Sequence, residues 1–123
     1  MRNLPIAYGD SRWAKNWENK TITFSELCRR LSETERTDES VDEYPKLSKQ
    51  VRDQIKDIGG FVGGQLKNNR RKRETVACRS MLTLDADNAQ PELISSFKII
   101  CKYAACLYTT HGHRPEAPRV RII

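Results

Sequence analysis

Asp85-Ala-Asp87 is the sharpest chemical feature of the sequence. A strand's period of two puts both carboxylates on one side, and two anionic side chains placed together repel unless a cation lies between them. Mg²⁺ or Mn²⁺ suits such a pair, because hard divalent ions take carboxylate oxygens and keep their other positions for water and phosphates. In nucleotidyl transfer an ion of this kind activates an attacking 3′-hydroxyl and holds a triphosphate. The plainer alternative is a strand-to-turn exit in which Asp87 or Asn88 caps the next helix. Against it stands the mainly apolar run Met81-Leu-Thr-Leu84, at whose end an unpaired carboxylate at position 85 is costly.

The second cluster is Thr109-Thr-His-Gly-His-Arg-Pro-Glu-Ala-Pro-Arg-Val-Arg121, which gathers hydroxyls, two imidazoles and three guanidinium groups just past an expected strand. Phosphate is the ligand this chemistry suits, since guanidinium forks match its oxygens bidentately and His111 or His113 adds a further donor. Arg119 and Arg121 alternate along one strand face and form the expected pair, whereas Arg114 has the composition of a solvated surface charge. A third group, Arg70-Arg-Lys-Arg73, could follow a nucleic-acid backbone by releasing counterions, or simply be a solvated loop. Gly59-Gly-Phe-Val-Gly-Gly64 fits neither the dinucleotide fingerprint nor the P-loop.

These groups need a scaffold, and 123 residues of mean hydropathy −0.72 allow one domain with one small core. A net charge of +6 favours an acidic partner such as nucleic acid or nucleotide phosphate. Cys28, Cys78, Cys101 and Cys106 contain no C-x-x-C pair and fit no common zinc spacing. They are expected as reduced thiols in the cytoplasm, and no apolar stretch is long enough to cross a membrane.

Residues 1–58 are expected as a helical lead-in of the same domain and 59–123 as the first part of a sheet. Ile6 to Asn19 reads as irregular, with Trp13 and Trp17 touching the core. Thr23-Phe-Ser-Glu26 has capping-box spacing and opens a helix through Leu27 and Leu31 that ends near Ser32. Glu33 to Glu43 is a solvated linker. Leu47, Val51 and Ile55 share a helical face that Gly59-Gly60 terminates. Phe61 to Leu66 is expected as a strand with a bulge or close backbone approach at Gly63 and Gly64, turning at Asn68-Asn69 into a returning strand from Val76 to Asp87. After Pro91, Leu93, Phe97 and Ile100 form a helical stripe laid on the sheet, and Ala104 to Thr110 and Val120 to Ile123 supply further strands. The expected class is α+β, a mainly antiparallel sheet covered by helices and incomplete at its C-terminus.

Taken together, Gly59 to Gly64, the run Arg79-Ser-Met-Leu-Thr-Leu-Asp-Ala-Asp-Asn88, and Tyr108-Thr-Thr-His-Gly-His113 leading to Pro118-Arg-Val-Arg121 resemble the amino-terminal region of phage and prophage primase-polymerases. These belong to the archaeo-eukaryotic primase superfamily and are often joined to virulence-associated E helicase regions. The resemblance implies an RRM-like sheet, Asp85 and Asp87 as catalytic metal ligands, and Thr109-Thr110-His111 as the motif that places His111 at the nucleotide phosphates. His113, Arg119 and Arg121 would support the same end of the nucleotide. It further implies Mg²⁺ or Mn²⁺ as cofactor, nucleotide triphosphates and a DNA template or primer as partners, a helicase nearby, and synthesis of nucleic acid during phage replication in a bacterial host. The superfamily's third motif, a later metal-binding aspartate, is not matched before Ile123, so a truncated domain inactive alone is expected.

Two other classes remain open. A non-catalytic module could hold nucleic acid or a replication partner, although Phe61, Tyr103 and Tyr108 form no base-stacking motif. A metal-dependent nuclease could use His111 and His113, although the residue between them is glycine and no tyrosine nucleophile follows Tyr108.

Overall fold

The computed structural model describes residues 2–123. It is of mixed α and β content, with three helices and three small antiparallel sheets. The chain forms two compact units: Met1–Asp38 with Leu47–Leu82, and Glu39–Lys46 with Thr83–Ile123. No helix of the described residues is long and apolar enough to cross a membrane.

In the first unit, β1 (Asn3–Gly9) pairs antiparallel with β2 (Glu18–Thr23), from Asn3 opposite Thr23 to Tyr8 opposite Glu18. Its other edge takes β3 (Gly60–Val62), giving the order β2-β1-β3. The irregular lead-in expected from Ile6 onward is therefore corrected: its first residues belong to a central strand, and Ile6 and Ala7 have no solvent exposure. Pro5 precedes these residues in the same strand and donates no ladder hydrogen bond. It is tolerated because β3 registers only with Ala7 to Gly9, leaving Pro5 flanked by β2 alone. Trp17 is buried as expected, but Trp13 is 76% exposed, with the Arg12 guanidinium 4.9 Å above its ring. The β1–β2 loop turns this side chain outward while Trp17 fills the core beside Ala7 and Leu66.

Helix α1 (Phe24–Ser32) begins where the sequence places it, with the Thr23 hydroxyl accepting the Glu26 amide at 3.1 Å. Leu27 anchors it. Helix α2 (Lys49–Ile55) is capped by Ser48 and is mostly half-buried or exposed. Ser11 and the Arg12 amide both donate to Asp57 just beyond it, which holds that carboxyl below the usual range.

The strand expected from Phe61 to Leu66 is broken at Gly63: β3 joins β1, and β4 (Gly64–Leu66) pairs antiparallel with β5 (Val76–Arg79). A Cβ at Gly64 would collide with the carbonyl of Cys78, so the close backbone approach is real. The register shifts between Gln65 and Leu66. Asn68 and Asn69, with φ of 55° and 53°, make the expected turn. The Asn19 side chain bridges the chains by donating to the Leu66 carbonyl at 2.8 Å and accepting its amide at 3.0 Å.

The second unit contains β6 (Leu84–Ala86), α3 (Leu93–Ile100), β7 (Leu107–Thr109) and β8 (Val120–Ile122). Its sheet has the order β6-β8-β7, antiparallel throughout. The returning strand expected to reach Asp87 stops at Arg79, so Asp85 stands on a separate strand paired with β8. Within α3, Leu93 and Phe97 are half-buried, but Ile100 is 73% exposed, which corrects the expected stripe at its last position. The helix ends at Cys101 after eight residues, too soon to bring a third turn onto the unit.

Candidate functional site

The antiparallel register of β6 and β8 decides the geometry. Asp85 lies directly opposite Arg121 and Ala86 opposite Val120, and side chains directly across such a pair meet on one face. Arg121 Nε donates to Asp85 Oδ1 at 2.6 Å and Nη2 to Oδ2 at 3.2 Å, a bidentate pair. Arg119 Nε comes within 3.8 Å of Asp87 Oδ1. The Ala89 amide donates to the Pro118 carbonyl at 3.0 Å and carries the alignment past the strand ends.

β7 lies on the other side of β8 and sets Tyr108 opposite Arg121. Burial pushes the Tyr108 phenol up, and a hydrogen bond with Arg121 opposes that shift. Arg121 is held above its ordinary range, chiefly by Asp85. The row Asp85, Arg121, Tyr108 therefore crosses all three strands with the cation in the middle.

The loop joining β7 to β8 carries the histidines. The Thr110 amide donates to the Arg119 carbonyl at 2.9 Å, and the Thr110 carbonyl accepts the His113 amide at 3.1 Å. Gly112, at φ 85°, permits the turn. His113 Nδ1 accepts the Arg119 amide at 3.1 Å, which puts the neutral ring's N–H on Nε2. A Cβ at Gly112 would stand 3.6 Å from the Tyr44 ring and 3.7 Å from Arg119 Nη1, so the loop and this guanidinium are close neighbours. His111 is half-buried with its ring edge-on to Tyr44, the centroids 4.3 Å apart.

Tyr44 was invisible in the sequence, where it sits just past the polar stretch taken as a solvated linker. Residues Glu39–Lys46 instead pack in the second unit. Arg114 Nη2 donates to the Val41 carbonyl at 2.7 Å and approaches Asp42 at 3.4 Å, so Arg114 is tethered and not a free surface charge. Together these segments line a shallow cleft whose floor includes Tyr44, His111, His113 and Arg114. The Tyr44-Pro45 pair beside charged residues is the only sequence sign of such an anchor.

The structure thus brings Asp85, Asp87, Arg119, Arg121, His113 and the loop of His111 together in one unit. Thr109 is exposed at the end of β7. Arg70, Arg71, Lys72 and Arg73 lie in the first unit, between the Asn68-Asn69 turn and β5.

Asp85 and Asp87 are both more than half exposed, and carboxylates are donors of the kind a hard divalent ion takes. Each is paired with its own guanidinium, Asp85 with Arg121 and Asp87 with Arg119. Among the described residues no group of three or more His, Cys, Asp or Glu converges.

Compared with known proteins, the family model described as VapE N-terminal domain matches residues 1–123. No curated protein and no solved structure matches the chain.

Proposed function

We propose, since this chain belongs to the VapE N-terminal domain family, that it is the nucleotide-binding part of a phage or virulence-associated E-type protein of the primase-polymerase kind. The observation that supports this reading is the pairing of β6 with β8, which sets Asp85 and Asp87 against Arg121 and Arg119 beside the His111 loop. Paired carboxylates, paired guanidinium groups and imidazoles are the set that a metal-bound triphosphate requires.

Asp85 and Asp87 would hold Mg²⁺ or Mn²⁺, which supplies activation of a 3′-hydroxyl and neutralises the triphosphate. For this Arg121, half-buried on β8, would turn from Asp85 to the phosphate oxygens. Arg119 stays beside the loop and donates to the same phosphates. His111 and His113 Nε2 donate from the loop, and the Thr109 hydroxyl extends the row. The activity assigned to this chain is binding of metal and triphosphate, toward template-directed synthesis on a DNA template or primer beside a helicase. The cytoplasm of a bacterial host is the matching compartment, and the free thiols of Cys28, Cys78 and Cys101 are consistent with it.

Titration of the chain with a nucleotide triphosphate in Mn²⁺ and in EDTA, beside the double variant Asp85→Asn, Asp87→Asn, tests the proposal. Metal-dependent binding that disappears in the variant supports it. Binding of equal strength in EDTA and in the variant removes the metal role. A folded chain with no binding favours the second reading, a non-catalytic nucleic-acid module, for which the distribution of charge speaks.

A further inference from the structure

The net positive charge is confined to one unit. Residues Met1–Asp38 and Leu47–Leu82 carry sixteen Lys and Arg against nine Asp and Glu, whereas the second unit carries six against seven. Within the first unit the cations are concentrated on the β4–β5 hairpin, where Lys67, Arg70, Arg71, Lys72, Arg73 and Arg79 face only Glu74. All six are exposed.

The two units also treat their cations differently. In the second unit Arg114, Arg119 and Arg121 are each paired with a carboxylate. On the hairpin none of the six forms an ion pair among the described residues. Unpaired cations crowded on a two-stranded hairpin repel one another, and a polyanion relieves that repulsion.

An aromatic surface adjoins them. The Trp17 amide donates to the Asn69 carbonyl at 2.8 Å, which fastens the β1–β2 loop to the hairpin turn. The Arg71 guanidinium lies 5.2 Å from the Trp17 ring centroid. Four residues earlier in the same loop, Trp13 presents a 76% exposed indole with Arg12 on it. An exposed tryptophan in a loop fastened to a hairpin of unpaired cations suits an unstacked base on an anionic backbone, and a duplex offers no such free base face.

We infer, deepening the proposed function, that the β4–β5 hairpin and the β1–β2 loop form a surface for single-stranded nucleic acid. Lys67, Arg70, Lys72, Arg73 and Arg79 hold the phosphates, and Trp13 stacks on a base. Arg71 keeps the loop seated on Trp17. This surface is the first unit's own and needs neither Asp85 nor Asp87.

Binding of a fluorescein-labelled oligothymidylate to the full chain, measured by anisotropy across a salt series, tests the inference. The triple variant Arg70→Ala, Lys72→Ala, Arg73→Ala should weaken binding at least about tenfold at low salt and flatten the logarithmic salt slope by about 2, at roughly 0.7 per lost phosphate contact. Trp13→Ala should weaken it about tenfold, and Trp13→Phe should restore most of that loss, because stacking needs an aromatic face. Tryptophan quenching by the oligonucleotide should vanish in both Trp13 variants, since Trp17 is buried. An unchanged affinity and slope in the triple variant would overturn the phosphate assignment. Wild-type affinity in Trp13→Ala, or equal affinity for a duplex of the same length, would overturn the single-strand assignment. The Asp85, Asp87 double variant should bind the oligonucleotide normally; if it does while Mn²⁺ binding proves absent in the wild type, the nucleotide-site proposal fails and this one stands.

Discussion

Arg121 spans both oxygens of Asp85, at 2.6 and 3.2 Å, and so occupies the oxygens that a divalent ion on Asp85 would take. A guanidinium and a divalent ion compete for the same lone pairs. Replacing Arg121 with Gln is expected to raise Mn²⁺ affinity about fivefold, matching the upper range of about 1 kcal/mol for an exposed ion pair. The same variant should bind triphosphate more weakly. Calorimetric titration with Mn²⁺ alone, then with triphosphate, separates the two effects; a drop in Mn²⁺ affinity would show that Arg121 supports the carboxylates and does not compete with them.

His111 is placed by its loop and by the Tyr44 ring. His111→Ala should weaken triphosphate binding at least about tenfold, since a hydrogen bond to a charged group contributes roughly 1.5–3 kcal/mol. Tyr44→Phe keeps the ring contact and should bind as the wild type does, while Tyr44→Ala should behave like a milder His111→Ala. Competition with a fluorescent triphosphate gives all three affinities.

At the start of α1, hydrogen bonds from Arg29 and then Arg30 hold the Glu26 carboxyl down, from 4.5 to about 2. A depressed carboxyl contributes stability that is present above its unfolded pKa and is lost as pH falls through the folded value. The window here runs from about 4.5 down to about 2. Glu26→Gln should therefore melt slightly below wild type at pH 7, and the gap should close near pH 2. Thermal melts at the two pH values, at low and high salt, check the sign, with high salt narrowing the gap because the pairs are exposed.

Gly64→Ala should be the most damaging single methyl on the molecule's first unit. The added carbon meets the backbone carbonyl of Cys78, which cannot rotate away as a side chain would. A loss of about 3 kcal/mol or more is expected, at the upper end for overpacked sites. Chemical denaturation measures it, and a loss under about 1 kcal/mol would mean that β4 and β5 slide apart easily.

What the sequence revealed was local. The Thr23 cap, the Asn68-Asn69 turn, the closeness at Gly64 and the alternation of Arg119 with Arg121 each depend on a few adjacent residues, and each stands in the structure. What it concealed was pairing over distance. Nothing near Ile6 announces that β1 will gain β3 as a second neighbour, and Pro5 points the other way. Nothing near Phe61 says that the chain will change sheets at Gly63, because a short extended run reads the same whichever strand it joins. At the site, the types of Asp85, Asp87, Arg119 and Arg121 were readable, but their ion pairing was not. It depends on the β6–β8 register. Tyr44 reaches His111 from a segment whose composition speaks only of solvent.

The central place of β1 also sets an order of events during synthesis. Its inner partner for Ala7 to Gly9 leaves the ribosome about fifty residues after β1 itself. The β1–β2 hairpin can close early, since its strands are near in sequence, but one edge then waits unpaired while the helices and the acidic stretch emerge. Long-range closure of this kind slows folding and leaves an edge open to wrong neighbours. Pro5 lies on the same strand outside the stretch that β3 later covers and has no amide hydrogen to offer a wrong neighbour.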